Sequence, residues 1–331
     1  MWNPSSSPTA AMRLLPDHFP RPQPPALLTL GALRQGQLQL AALATPIAAT
    51  ADVPLARAAG RVLAADLGAG PDAAGPLVAR GTRLDARHLP LFVGAGQAMA
   101  SVLARTRIGV IALPDDEDTP PGRTGATASA AWIAAALERL GAQAFEATCR
   151  APDPKRLLAT LEMFGGGCDL VLTAGFLRPD LCDAVREAQA RRGEPDTVET
   201  LSLRPFGALQ ALQVGTTRVV ALPADLESAV AAFTTLLTPL IRRLQGRIDV
   251  LPDVRAAELG GGQRHDAEPG RLVPARVDPG ALNSRLVLER VAGACGAQAL
   301  AAADGLAWNA AEFASFDRPS AAYFPFECWL R

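Results

Sequence analysis

The chain has 331 residues, 49% of them hydrophobic and 20% charged, which is enough apolar material for a buried core and too much for a disordered chain. Lys plus Arg is 32 against 33 for Asp plus Glu, a formal net charge of −1, and aromatics are only 5%. That balance lacks the cationic surplus and the stacking surfaces of a nucleic-acid binder. No apolar run reaches the ~18 residues of a membrane helix, the best stretch (229–241) being broken by Thr234, Thr235, Thr238 and Pro239.

The 5 cysteines are scattered with no Cys-x-x-Cys pair, and the start lacks a secretory pattern, so reduced thiols in a cytoplasmic protein are expected. His18, His88 and His265 lie far outside any zinc-ligand spacing.

In chain order, residues 1–25 are Pro- and Ser-rich and read as a disordered tail. Residues 26–105 are rich in Ala and Leu, and the pieces 36–45, 55–67 and 85–103 are predicted helical, a linker or dimerisation segment. From Ile108 the pattern becomes strand–helix alternation. The run 108–113 reads as a buried strand, 126–140 as a helix closed by Gly141, 142–148 as a strand, and 153–164 as a helix opened by Asp153 and Pro154. Residues 168–175 are the clearest central strand; a helix over 180–192 and strands near 197–203 and 217–222 follow. Leu226, Val230, Phe233, Leu237, Leu240 and Leu244 recur at steps of three and four, predicting one amphipathic helix over 225–244 bent at Pro239. The sum is an α/β fold, residues 106–247, around a doubly wound, mostly parallel sheet. Residues 248–331 read as short strands between turns, a small β domain.

Open α/β sheets bind ligands at the carboxyl ends of their strands, and three such ends carry polar clusters. Asp115 to Asp118 follow the first strand, either as a solvated loop or as Mg²⁺ ligands and general bases. Thr173-Ala174-Gly175 leads through Arg178 to Asp180 and Asp183, where a glycine admits close backbone approach and Arg178 could meet a phosphate. Pro223-Ala224-Asp225 leads to Ser228, with Asp225 most simply a helix cap. Gly94-Ala95-Gly96 has Met99 where a dinucleotide fingerprint needs its third glycine, and Lys155 is the sole lysine, so nucleotide-fold and lysine chemistry have little material.

The order of these segments resembles the molybdopterin molybdenumtransferase family (MoeA and the corresponding part of gephyrin). Ala58-Ala59-Gly60-Arg61-Val62-Leu63-Ala64 is similar to its Leu-Gly-Arg-Val-Leu-Ala signature, and Gly81-Thr82-Arg83-Leu84 to its Gly-x-x-Leu segment. Pro114-Asp115-Asp116-Glu117 stands for Gly-Asp-Glu, Leu172-Thr173-Ala174-Gly175 through Asp183 for the Thr-Thr-Gly-Gly run, and Leu222-Pro223-Ala224-Asp225 through Ser228 for Leu-Pro-Gly-Asn-Pro-Val-Ser. Ala303-Asp304-Gly305-Leu306 resembles Ala-Asn-Gly-Leu near the end.

The resemblance implies a molybdopterin-binding (MoaB/Mog-like) α/β domain, a β-barrel-like C-terminal domain, a homodimer, and molybdopterin or its adenylylated form as ligand. In catalytic members Mg²⁺ and molybdate join it. Glu117 and Asp183 would then hold Mg²⁺, while Asp116, Ser129, Thr173, Gly175, Arg178, Pro223, Asp225 and Ser228 line the pterin site. A molybdoenzyme or another cofactor-assembly protein is the implied partner. Several positions depart from the family. Only thirteen residues separate Leu67 from Gly81, where a β-rich domain is expected; Phe176 replaces the second glycine, Asp225 replaces an asparagine, and residues 204–208 lack both lysines. These departures leave two readings, a trimmed molybdenumtransferase and a non-catalytic molybdopterin carrier or scaffold; a hydrolase of nucleotide pyrophosphates is a third.

Overall fold

The structure, a computed structural model, describes residues 30–69, 75–114, 125–149, 154–177, 179–193, 199–203, 207–215, 217–260, 272–278, 287–290, 296–308 and 320–326. The N-terminal tail and Asp115 to Asp118 lie outside the described residues.

Helix α1 (Leu30–Ala42) opens the described chain. Strand β1 (Thr50–Pro54) follows, then β2 (Leu67–Ala69), β3 (Pro76–Val78), helix α2 (Leu89–Gly94) and β4 (Met99–Leu103). Strands β1 and β4 pair antiparallel, as do β2 and β3. The helices predicted over 55–67 and 85–103 are therefore corrected: only a 3₁₀ turn (Leu55–Arg57) and the six residues of α2 are helical. The Ala and Leu content mimics helix propensity. Gly60 and Gly96 cut the runs, however, while Val62 and Val102 favour pairing. Ala58, Leu63, Leu67, Leu84, Phe92 and Val102 close a small core there.

The central sheet comprises β5 (Arg107–Ala112), β6 (Gln143–Thr148), β7 (Leu170–Ala174), β8 (Glu199–Leu203), β9 (Gly207–Val214) and β10 (Thr217–Leu222), ordered β6-β5-β7-β10-β9-β8. The first four neighbours run parallel, and β10, β9 and β8 form an antiparallel meander. Helices α3 (Ala126–Leu140), α4 (Pro154–Gly165), α5 (Pro179–Arg192), α6 (Leu226–Ala232) and α7 (Thr238–Leu244) cover it. Alternate residues enter separate cores. Ile108, Val110, Leu170, Leu172, Val220 and Leu222 face α3, α6 and α7, whereas Ile111, Val171, Val219 and Ala221 face α4 and α5. Helix α3 ends at Gly141, whose φ of 88° is the left-handed conformation that terminates helices.

The single helix predicted over 225–244 is two helices joined by a π-helical turn, Phe233–Leu237. Pro239 has no N–H for the carbonyl of Thr235 and would crowd it in a regular helix. The turn relieves the crowding, and the buried Gln37 of α1 donates its Nε2 to that carbonyl at 2.6 Å.

Strands β11 (Arg255–Leu259), β12 (Leu272–Val277), β13 (Val287–Arg290), β14 (Gly305–Trp308) and β15 (Ser320–Pro325), with the short helix α8 (Ala297–Ala301), make a closed barrel in the order β11-β13-β12-β14-β15. Ala257, Val273, Leu288, Ala307 and Tyr323 fill it. Their neighbours Leu306, Trp308, Ala322 and Phe324 join the core beneath α1 and α6, so the barrel packs on the sheet layer through the outside of β14 and β15. Cys149, Cys168 and Cys182 are free thiols, and burial pushes the latter two up. No helix of the described residues is long and apolar enough to cross a membrane.

Candidate functional site

Because β5, β7 and β10 are adjacent and parallel, the loops that follow them leave one edge of the sheet. Ala112 and Leu222 both stand level with Ala174. The Leu113 N–H donates to the Ala174 carbonyl and the Gly175 N–H to the Leu222 carbonyl, each at 2.9 Å, so the exits are laced by backbone. Gly175 has φ +115°, and a Cβ there would come within 2.9 Å of the Leu113 carbonyl oxygen. The glycine that the sequence suggests for ligand approach is thus required first by the neighbouring strand exit.

Two predicted hydroxyls are turned inward. Thr173, fully buried, donates to the Gly175 carbonyl at 2.9 Å. Ser129, fully buried on α3, donates to the Ala224 carbonyl at 2.8 Å and ties that helix to the loop after β10. Both shape the edge through its backbone. Pro223 is buried, and the Asp225 carboxylate caps α6 by accepting the Ser228 N–H at 2.9 Å. Asp183 sits on α5 with a side chain 72% exposed, in an ion pair with Arg186 at 2.9 Å. Asp116, Glu117 and Arg178 lie outside the described residues. Among the described residues no group of three His, Cys, Asp or Glu side chains converges as a metal site.

Three features of this edge emerge only once the strands are in place. Gln210 of β9 accepts the Leu177 N–H at 2.9 Å and fixes the loop after β7; strand β9 itself is Ala- and Gln-rich and carries no strong β signal. Phe176 is 40% exposed at the edge and belongs to neither core of the sheet. Finally, the three helix starts at this edge differ in charge. Helix α5 has Asp180 in its first turn and α6 has Asp225 and Glu227, whereas α3 begins at Gly125 with no side-chain cap and no acid in its first turn. The start of α3 is the one of the three whose positive dipole end no acidic side chain of its own first turn or cap position offsets.

A mixed α/β sheet covered on both faces, followed by a β barrel, defines the class of fold, and comparison with solved structures identifies it further. The chain is similar to two solved structures of MoeA molybdopterin biosynthesis proteins from Pyrococcus horikoshii. One has a TM-score of 0.65 at 12% identity, covering 91% of this chain and 100% of that one; the other has 0.60 at 14%, covering 91% and 99%. It is also similar to a molybdenum cofactor biosynthesis protein of Pyrococcus furiosus, with a TM-score of 0.61 at 16% identity over 88% and 98% of the two chains. The sequence matches no protein-family model and no curated protein. At these identities the likeness is one of fold.

Proposed function

We propose that this chain is a molybdopterin-binding protein of molybdenum-cofactor assembly, working as a homodimer, with its pterin site at the carboxyl edge of β5, β7 and β10. The observation that supports it most is the convergence of three strand exits on one edge, in a fold shared with molybdopterin biosynthesis proteins. The fit is electrostatic and steric. The uncapped start of α3 offers backbone N–H groups to the pterin phosphate, and the exposed Phe176 ring offers a face for the planar pterin. Isothermal titration with molybdopterin, and with its adenylylated form, tests this reading: a saturable heat and a raised Tm are expected, and their absence contradicts it.

The same chain could insert molybdate, with Glu117 and Asp183 positioning Mg²⁺ and the ligand. One observation favours the carrier reading instead: the Asp225 carboxylate stands at the loop where incoming molybdate would have to approach. Unit charges about 4 Å apart repel by ~4 kcal/mol at an effective dielectric of ~20. A single-turnover insertion assay separates the two. Product formed by the unaltered chain and abolished by Glu117→Ala establishes catalysis; pterin binding without product establishes the carrier.

A further inference from the structure

A cavity of about 540 Å³ lies at the opposite edge of the sheet, between the segment before α2 and the chain that leaves α7 for the barrel. Its place is fixed by the end of α3: Arg83 donates to the Arg139 carbonyl at 3.1 Å and Gln245 to the Leu140 carbonyl at 3.0 Å. The Ile248 N–H bonds the Gly81 carbonyl at 3.1 Å and closes one wall. The six residues of β5, at about 3.3 Å each, put it roughly 20 Å from the carboxyl edge.

Five arginines line this cavity, Arg83, Arg87, Arg242, Arg247 and Arg255, against three aspartates. The aspartates at its mouth are taken: Asp85 by Arg87, and Asp253 by Arg255 at 3.0 Å. The third aspartate, Asp249, has a side chain 52% exposed and is paired with a buried arginine. Arg247, with a side chain only 3% exposed, grips Asp249 through Nε and Nη2, and its Nη1 is buried with no hydrogen-bond partner among the described residues. Arg242, also buried, donates to the Leu251 carbonyl at 2.8 Å and adds its charge to the field on Asp249. Burial raises the Asp249 carboxyl, but the Arg247 hydrogen bond and the Arg247 and Arg242 charges outweigh this and hold it below the ordinary range. Burial, then the Arg247 charge, lowers Arg83 against the opposing charges of Asp249 and Asp85. A buried guanidinium with one nitrogen unsatisfied, as in Arg247, is costly unless a further acceptor joins it, and its planar fork suits phosphate oxygens.

We propose that this cavity is a second binding site, for a small phosphate-bearing molecule, in which Arg83, Arg242 and Arg247 grasp the phosphate and Arg87 and Arg255 guard the entrance. The volume exceeds that of a single phosphate and matches a small organic ligand. Asp249 orients Arg247 and competes with the ligand for it. This sets the site apart from an ordinary structural ion pair, in which Asp249 would only stabilise.

The test is isothermal titration of the full chain, at fixed ionic strength, with inorganic pyrophosphate and in parallel with glycerol phosphate, which separates a diphosphate from a phosphomonoester. Saturable binding of either supports the proposal. Arg247→Met should weaken it by about tenfold or more, and Asp249→Asn, which keeps an acceptor but removes the competing charge, should tighten it severalfold. The second variant keeps the test decisive if the first folds poorly. No saturable heat from either probe overturns the proposal, as does an Asp249→Asn chain that binds no more tightly than the parent.

Discussion

The two edges of the central sheet are built from different materials. At the carboxyl edge the chain uses backbone and small residues: Gly175 against the Leu113 carbonyl, Ser129 on the Ala224 carbonyl, Thr173 on the Gly175 carbonyl. At the amino edge it uses long cationic side chains around Asp249. The first kind of surface selects by shape and by fixed N–H groups, and the second by charge. Salt should therefore weaken anything bound at the amino edge more than a pterin at the carboxyl edge. The α6–α7 rod joins the two edges, starting at the Asp225 cap and ending near Arg242, with the π turn and Gln37 at its middle.

The largest expected effect comes from filling Gly175. Its φ and the 2.9 Å approach to Leu113 leave no room for a branched side chain, so Gly175→Val should cost about 3 kcal/mol in urea unfolding. A cost near zero would show that the strand exits are not interlocked. Next is Gln37→Leu, which removes the donor from the buried Thr235 carbonyl. It should destabilise by about 1–3 kcal/mol and loosen both edges together, read as faster amide exchange at each end of the rod. Ser129→Ala should cost about 1 kcal/mol and disturb the carboxyl edge alone, leaving pyrophosphate titration at the arginine cavity unchanged.

The smallest effect is in acid. The Arg87 hydrogen bond holds the Asp85 carboxyl down from 3.8 to about 2, against the opposing effect of burial. A depressed carboxyl stabilises the fold above its ordinary value and loses that contribution as pH falls through the folded one. Stability at the cavity mouth should therefore decline between about pH 4 and pH 2. Because Asp85 is 39% exposed, the decline should stay under about 1 kcal/mol, and Asp85→Asn should remove it from the acid-unfolding curve.

Much of the sheet was legible because its signals are local. Gly141 closes α3, and the unbroken apolar runs of β5 and β7 state that both faces are buried. The common edge of three loops follows from their order along the chain once those strands are parallel. What escaped depends on partners distant in sequence. The 55–67 and 85–103 segments choose strands and turns because they find each other, not for their Ala content. Pro239 announces a bend in the sequence, but the partner of the carbonyl it frees is Gln37, 198 residues away. Nothing local tells that the Ser129 and Thr173 hydroxyls point to carbonyls instead of to a ligand. The arginine cavity joins residues 82–88 to 242–255, and no spacing rule connects those segments.

The most direct test is a calorimetric titration of molybdopterin into the parent chain and into Thr127→Glu. Thr127 is exposed in the first turn of α3, so a carboxylate there should stabilise the helix by about 0.3–1 kcal/mol while opposing a phosphate at the same N–H groups. The predicted result is saturable binding by the parent, weakened about tenfold or more by Thr127→Glu and unchanged by Arg247→Met. Binding indifferent to Thr127→Glu and lost in Arg247→Met would place the pterin at the wrong edge, and no binding at all would contradict the assignment outright.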